Sequence, residues 1–234
     1  DVPEAGTDRG VLCKIKHAEA IWLAGGSQWN YVGLWPQTLH EQLQQTITRQ
    51  ITIGGTSAGA MSLGEGVFDA REGSITSNEA LADPLSSNVS ISLSPLAQPE
   101  LNGILIDSHF SERHREGRLI AFLARFSLLT GQAGVRGIGL DEGTALRISD
   151  SGFEVFGPTN EKAIWVYEYV GSPSMTPGEA LTLQETVLKT RIPPGSRGEW
   201  PIDMSTWSPS ELSVVEGIVT TYPSQPGAKR LDAG

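Results

Sequence analysis

The sequence predicts an α/β fold: a doubly wound, mostly parallel sheet with helices on both faces, plus antiparallel β hairpins in the C-terminal third. Three observations carry that expectation. Short apolar runs stop at glycine pairs, Ala20 to Ala24 before Gly25-Gly26 and Ile51 to Ile53 before Gly54-Gly55, as buried parallel strands do. Between them Leu39, Leu43 and Ile47 recur at spacing four within Pro36 to Arg49, one face of an amphipathic helix, so the order is strand, helix, strand. After Thr144 the pattern changes to short β runs, Ala145 to Ile148 and Phe153 to Phe156, joined through Asp150-Ser151-Gly152 as in a hairpin.

The other elements follow in order. Residues 1–17 read as a lead-in loop and a short helix. Asp83 to Pro99 is rich in Ser, Pro and Asn and reads as an irregular excursion at the sheet edge. Ile104 to Ile106 is a strand, Arg115 to Phe126 a helix with Leu119, Phe122, Leu123 and Phe126 as its apolar stripe, and Ile138 to Leu140 a further strand. Ile164 to Tyr169 alternates as a strand, and the tail from Gly171 reads as edge strands and loops. Trp22 is expected in the core. Without internal repeats or low-complexity tracts, residues 1–234 read as one domain, with a motif-bearing core over 18–150 and a β-rich part over 151–234.

Composition narrows the function. With 17 Lys and Arg against 27 Asp and Glu, the net charge is -10 and the pI about 4.9, which argues against a nucleic-acid-binding surface. No apolar run is long enough to cross a membrane as a helix, so no membrane partner is expected. A single cysteine, Cys13, forms no internal disulfide, and four histidines with one cysteine leave no Cys-rich zinc site. The opening residues DVPEAGTDRG lack both signal-peptide character and a starting Met, so the compartment stays open, with a soluble, cytoplasmic protein slightly favoured over a secreted one. Asn88-Val89-Ser90 matches a glycosylation sequon, a three-residue pattern of little weight.

Chemistry concentrates at Gly55-Thr56-Ser57-Ala58-Gly59, a G-x-S-x-G pentapeptide placed between a strand and a potential helix. Such a turn throws the serine hydroxyl into a cleft, and its glycines avoid clashes that a Cβ would cause. The backbone N–H of Ala58 then lies where an oxyanion develops. A plain glycine-rich turn with Ser57 as a helix cap is the alternative. A nucleophilic serine needs a base and an orienting acid. Of His17, His40, His109 and His114, only His109 directly follows a strand, at the edge where parallel sheets build their sites. Glu79, Asp107, Asp141 and Glu142 are candidate acids, and spacing does not choose among them. The α/β-hydrolase order, with its histidine near the C-terminus, does not fit a chain whose last histidine is His114.

Five segments in order, IWLAGGSQ, IGGTSAGA, ITSNEAL, DSHFSERHREGRL and GIGLDEGTAL, resemble the cyanophycinase family of serine exopeptidases, relatives of dipeptidase E with a class I glutamine amidotransferase-like fold. The resemblance runs from about residue 18 to 150. It implies a Ser–His–Glu triad of Ser57, His109 and Glu79, with Glu142 as the reserve acid, and no metal or organic cofactor. It also implies Gly26 and Ala58 as oxyanion donors, and Gln28, Asp107, Ser108, Arg113, Arg115 and Arg118 as substrate-binding residues. The implied substrate is a peptide of Asp/Arg character, such as cyanophycin, from which the family releases β-Asp-Arg dipeptides. Ser27 and Ser108 depart from the family's usual Asp and Gln, which shifts the expectation towards another β-aspartyl or acidic peptide. A dipeptidase or amidase on small acidic peptides, or a catalytically silent binding subunit, are the alternatives. Family members carry further strands before the segment matching Ala18 to Gly26, so truncation, processing, or a homodimer or companion chain supplying those strands is expected.

An independent reading of charge agrees with a charged substrate. Arg113, Arg115 and Arg118 cluster after His109 in an acidic chain, where guanidinium forks can clamp carboxylates. A solvated basic stripe balanced by Glu112 and Glu116 is the plainer explanation. Trp29 and Trp35 are candidates for pocket walls, packing being their commoner use.

Overall fold

The structure, a computed structural model, describes residues 6–171 and 174–222, without the side chains of 184–186. Helix α1 (Arg9–Lys16) starts at Asp8, whose carboxylate accepts from the Val11 N–H at 2.9 Å and so satisfies one orphan donor of the first turn. Strand β1 (Ala20–Leu23) leads through a short π-helical turn (Asn30–Leu34) to α2 (Gln37–Ile47). As the spacing predicts, α2 buries Leu39 and Leu43. Strand β2 (Thr52–Gly55) returns parallel to β1, and α3 (Ala58–Met61) follows it directly.

The stretch expected as an irregular excursion contains more order than its composition suggests. Within Asp83 to Pro99 it holds strand β4 (Ile91–Leu93), which pairs antiparallel at the sheet edge with β3 (Gly66–Phe68); the short α4 (Ser77–Ala82) precedes the stretch. Strand β5 (Ile104–Ser108), α5 (Glu116–Thr130) and β6 (Val135–Leu140) form a parallel βαβ unit, α5 ending at Gly131 in the left-handed conformation (φ 70°). Hairpin β7 (Ala145–Ser149) and β8 (Gly152–Phe156), joined by β11 (Arg197–Gly198), makes a separate three-stranded sheet. Strand β9 (Ile164–Tyr169), β10 (Leu183–Ile192), β12 (Ser210–Val215) and β13 (Ile218–Tyr222) extend the main sheet by antiparallel pairing.

The order of the eight-stranded sheet is β13-β12-β10-β9-β6-β5-β3-β4, and β1-β2 form a two-stranded parallel sheet of their own. The α/β class and the C-terminal hairpins are thus observed. One detail of the tail differs from expectation: β10 is an interior strand, between β9 and β12, rather than an edge. Its Val187 and Ile192 are buried, a pattern the surrounding Pro- and Gly-rich sequence disguises.

Alternation along β5 shows why helices cover both faces. Leu105 packs with Leu119, Phe122 and Phe126 of α5, whereas Ile104 and Ile106 pack with Leu39 and Leu43 of α2 and with Leu23 of β1. A strand buried on both faces reads as a continuous apolar run, as Ile104 to Ile106 does. Trp22 departs from the sequence expectation. Its side chain points out of the two-stranded sheet and is 69% exposed, because alternation turns Leu23 inward and Trp22 outward, over Gly54.

Candidate active site

The site grows from a strained turn. Ser57 stands between β2 and α3 with φ 51° and ψ −120°, a backbone conformation that L-residues rarely adopt and that surrounding structure must hold. The flanking glycines make it possible. A Cβ on Gly55 would lie 2.5 Å from the Gly59 carbonyl carbon, and one on Gly59 would lie 2.2 Å from the Leu23 carbonyl oxygen. The sharp turn and the seating of α3 on β1 therefore both demand glycine.

Across from this turn, His109 leaves β5, also at positive φ (49°). Its Nε2 is 2.9 Å from the Ser57 Oγ, and its Nδ1 is 2.6 Å from Glu142 Oε1. Glu142 arrives by the same logic as His109. Strands β5 and β6 are parallel neighbours in register Ser108 with Leu140, so the residues just past each strand emerge side by side. The Phe110 N–H donates to the Leu140 carbonyl at 3.1 Å, which fixes the two exits together.

A second layer holds the carboxylate in place. The Glu142 N–H donates to Glu112 Oε1 at 3.1 Å, and Glu112 is also ion-paired to Lys162. Burial pushes the Glu112 carboxyl up, but the Lys162 ammonium and backbone donors outweigh it and hold it below its ordinary range. Sequence reading did not single out Glu112 or Lys162 for this part.

The remaining candidate acids are occupied elsewhere. Glu79 accepts from the Thr76 N–H at 2.9 Å and the Thr76 hydroxyl at 2.6 Å, a capping box that starts α4. Those hydrogen bonds hold its carboxyl low while leaving it at the surface. Asp141 is buried and accepts from the Ser111 and Ala163 N–H groups, each at 3.0 Å, and from the Trp165 indole at 3.3 Å. Of the four candidates, Glu142 is the one hydrogen-bonded to His109; Glu79 is engaged at the head of α4.

The substrate-binding candidates divide in the same way. Asp107 is fully buried between two arginines. Arg118 meets it through Nε at 2.7 Å and Nη2 at 2.5 Å, while Arg115 reaches Oδ1 at 3.4 Å and donates to the Ser108 carbonyl at 2.6 Å. Burial pushes the Arg115 guanidinium down to about 10, so it stays charged at neutral pH. Gln28 is buried, its Nε2 donating to the Phe68 carbonyl at 3.0 Å, and the buried Ser108 hydroxyl lies 3.4 Å from Met61 Sδ. Arg113 and Gly26 are exposed, and a Cβ on the adjacent Gly25 would stand 4.0 Å from the Ser57 Oγ. Gly25 of the glycine loop thus borders Ser57. His17 and His40 hydrogen-bond backbone carbonyls of Cys13 and Tyr31, and His114 is exposed at the start of α5.

With this geometry in view, comparison with known proteins decides the family. The model of peptidase family S51 matches residues 4–156. The chain belongs to that family. Among curated relatives, a cyanophycinase from Geminocystis herdmanii is 32% identical over 155 residues, covering 65% of this chain and 51% of the relative. A cyanophycinase from Synechococcus elongatus is 29% identical over 150 residues, 63% of this chain and 42% of the relative. One from Trichormus variabilis is 30% identical over 150 residues, 63% and 45%. The chain thus spans about half the length of the curated relatives it matches, or less. A crystal structure of a peptidase from an acI-B1 Actinobacterium superposes with a TM-score of 0.53 at 16% identity, over 85% of this chain and 66% of that one, a likeness of fold. As a member of family S51, the chain is of a peptidase lineage, in agreement with the motif resemblance.

Proposed function

We propose that this S51 member is a serine exopeptidase that hydrolyses β-aspartyl, cyanophycin-like peptides through Ser57, His109 and Glu142. The observation that carries the reading is the continuous hydrogen-bonded chain from Ser57 Oγ through the His109 ring to the Glu142 carboxylate. The substrate class rests on the names of the curated relatives. Glu142 replaces Glu79 as the acid in this proposal, because it is the carboxylate within reach of Nδ1.

The chemistry follows from the geometry. Ser57 Oγ attacks the scissile carbonyl carbon while its proton passes to His109 Nε2, and Glu142 stabilises the imidazolium through the Nδ1–H. The carbonyl oxygen, now an oxyanion, accepts from the Ala58 N–H and from the exposed glycine loop at Gly26. The imidazolium returns its proton to the leaving amine as the C–N bond breaks, leaving an acyl-enzyme. Water attacks that ester with His109 again as base, and Ser57 is regenerated with its proton.

Release of β-Asp-Arg from cyanophycin by the native protein, abolished in Ser57→Ala, tests the reading. Full hydrolysis by Ser57→Ala would remove the nucleophile, and cleavage of small acidic dipeptides without action on the polymer would favour the dipeptidase alternative. Glu142→Gln is expected to lower kcat by about a thousandfold or more, as loss of the acid does in serine triads, whereas Glu79→Gln retains the greater part of the activity. The reverse ranking would restore Glu79 to the triad.

A further inference from the structure

A second arginine site lies outside the proposed triad and outside the Asp107 cluster. Asp69 directly follows β3 and is fully buried. It accepts from the hydroxyl of Ser90, just before β4, at 2.5 Å, from that of Ser92 in β4 at 3.0 Å, and from the Arg71 N–H at 3.1 Å. The Arg71 side chain curls back onto the same carboxylate, through Nε to both oxygens and through Nη2 in an ion pair. Between the two residues Ala70 is held at φ 53°, a conformation that disfavours any side chain and that here aims Arg71 at Asp69.

The other face of the guanidinium lies over the Trp29 ring, 5.0 Å from its centroid. Trp29 follows Gln28, whose amide is tied to the Phe68 carbonyl next to Asp69. Gln28 in turn ends the Gly25–Gln28 loop that borders Ser57. Arg71 is therefore tied, through Trp29 and Gln28, to the far end of the loop whose Gly25 lies against Ser57, with a buried carboxylate on one edge and an indole beneath. Its side chain remains 44% exposed. A guanidinium offers five N–H donors in a rigid fork, and Asp69 engages those of Nε and Nη2, which leaves the Nη1 edge to solvent. Because the rotamer is already locked, capture of an anion there costs little side-chain entropy.

We propose that Arg71, seated on Trp29 and oriented by Asp69, recognises a free carboxylate of the bound peptide, its chain terminus. This rests on the exopeptidase reading above: an enzyme that removes residues from a chain end needs a group that reads the terminal charge. Positive charge set beside the glycine loop, in a protein of net charge -10, supplies that group.

The test measures affinity rather than turnover. Ser57→Ala protein is titrated calorimetrically with β-Asp-Arg and with the analogue amidated at the aspartyl α-carboxyl, the position of the backbone terminus, alone and in combination with Arg71→Met/Asp69→Asn. That pair removes the arginine without leaving a buried charge unpaired. The expected result is that the acid binds about ten- to a hundredfold tighter than the amide, the range of a charge-assisted hydrogen bond, and that the combination collapses the ratio towards one. Equal binding of acid and amide with Arg71 present, discrimination that survives its removal, or no binding of either peptide would overturn the proposal. Phenylglyoxal modification of Arg71 in the wild-type protein, mapped by mass spectrometry, gives a reading free of folding effects: the acid is expected to slow it and the amide not. Labelling of Ser57 by a fluorophosphonate reports the peptidase reading separately, so failure of the carboxylate site leaves that result standing.

Discussion

Two buried aspartates stand at the ends of the neighbouring strands β3 and β5, and each is held by arginine in a different way. Asp107, at the end of β5, is enclosed by Arg118 and Arg115, whose side chains are 3% and 9% exposed. Asp69, at the end of β3, is enclosed by serine hydroxyls and by Arg71, whose side chain is 44% exposed. In the first case the guanidiniums spend their donors inward, on a carboxylate and on the carbonyls of Ser108 and Ile75. That cluster is a keystone beneath the His109 loop. In the second, one edge of the guanidinium is anchored while the side chain stays largely open to solvent. Identical residue types thus act as framework in one place and as a presented charge in the other, and burial of the arginine decides which.

The comparison breaks most readily at Arg118. Removing it in Arg118→Met leaves a buried carboxylate short of its principal partner, and urea unfolding is expected to show a loss of about 3–5 kcal/mol. Arg71→Met is expected to cost less, about 1–2 kcal/mol, because the two serine hydroxyls and a backbone N–H still satisfy Asp69. Equal losses in the two variants would erase the distinction between framework and presented charge. The smallest effect is a pH dependence. Burial pushes the Asp69 carboxyl up, but the Arg71, Ser90 and Ser92 hydrogen bonds outweigh it and hold it below its ordinary value. A carboxyl lowered by folding stabilises the native state above the unfolded pKa, and that contribution is lost as pH falls through the folded value. Asp69→Asn should therefore lose less Tm than the wild type on going from about pH 5 to about pH 3. A wild-type Tm that falls no further than the variant's would remove Asp69 as a contributor to acid stability.

Much of this was readable in the sequence, for definite reasons. Glycine-bounded apolar runs and the four-residue spacing of Leu39 and Leu43 placed β1, α2 and β2, since strand and helix periods are local properties. The G-x-S-x-G turn and the position of His109 after an apolar strand pointed to the contact that Ser57 and His109 make. The acid partner of His109 was not readable, because Glu79, Asp107, Asp141 and Glu142 differ only in which strand neighbours which. The signal that distinguishes Glu142 is topological: it follows the strand that pairs in parallel with the strand before His109. Burial was equally illegible. Arg115 and Arg118 look like a solvent stripe or a substrate clamp in one dimension, and only the position of Asp107 beneath them turns them inward. The short strand β4, hidden in a Ser- and Asn-rich stretch, likewise gains its order from pairing with β3, which in turn pairs with β5.

The serine and its histidine are carried by different sheets, Ser57 at the end of the two-stranded β1-β2 unit and His109 at the end of β5 in the eight-stranded one. Among the described residues no strand ladder joins them; Leu23 and Ile53 pack against Ile104 and Ile106, and the Gln28 amide reaches the Phe68 carbonyl of β3. One 2.9 Å hydrogen bond therefore works as a gauge of how one layer rests on another. A slip of an ångström at that seam would part Ser57 from His109 while each kept its own place in its own layer.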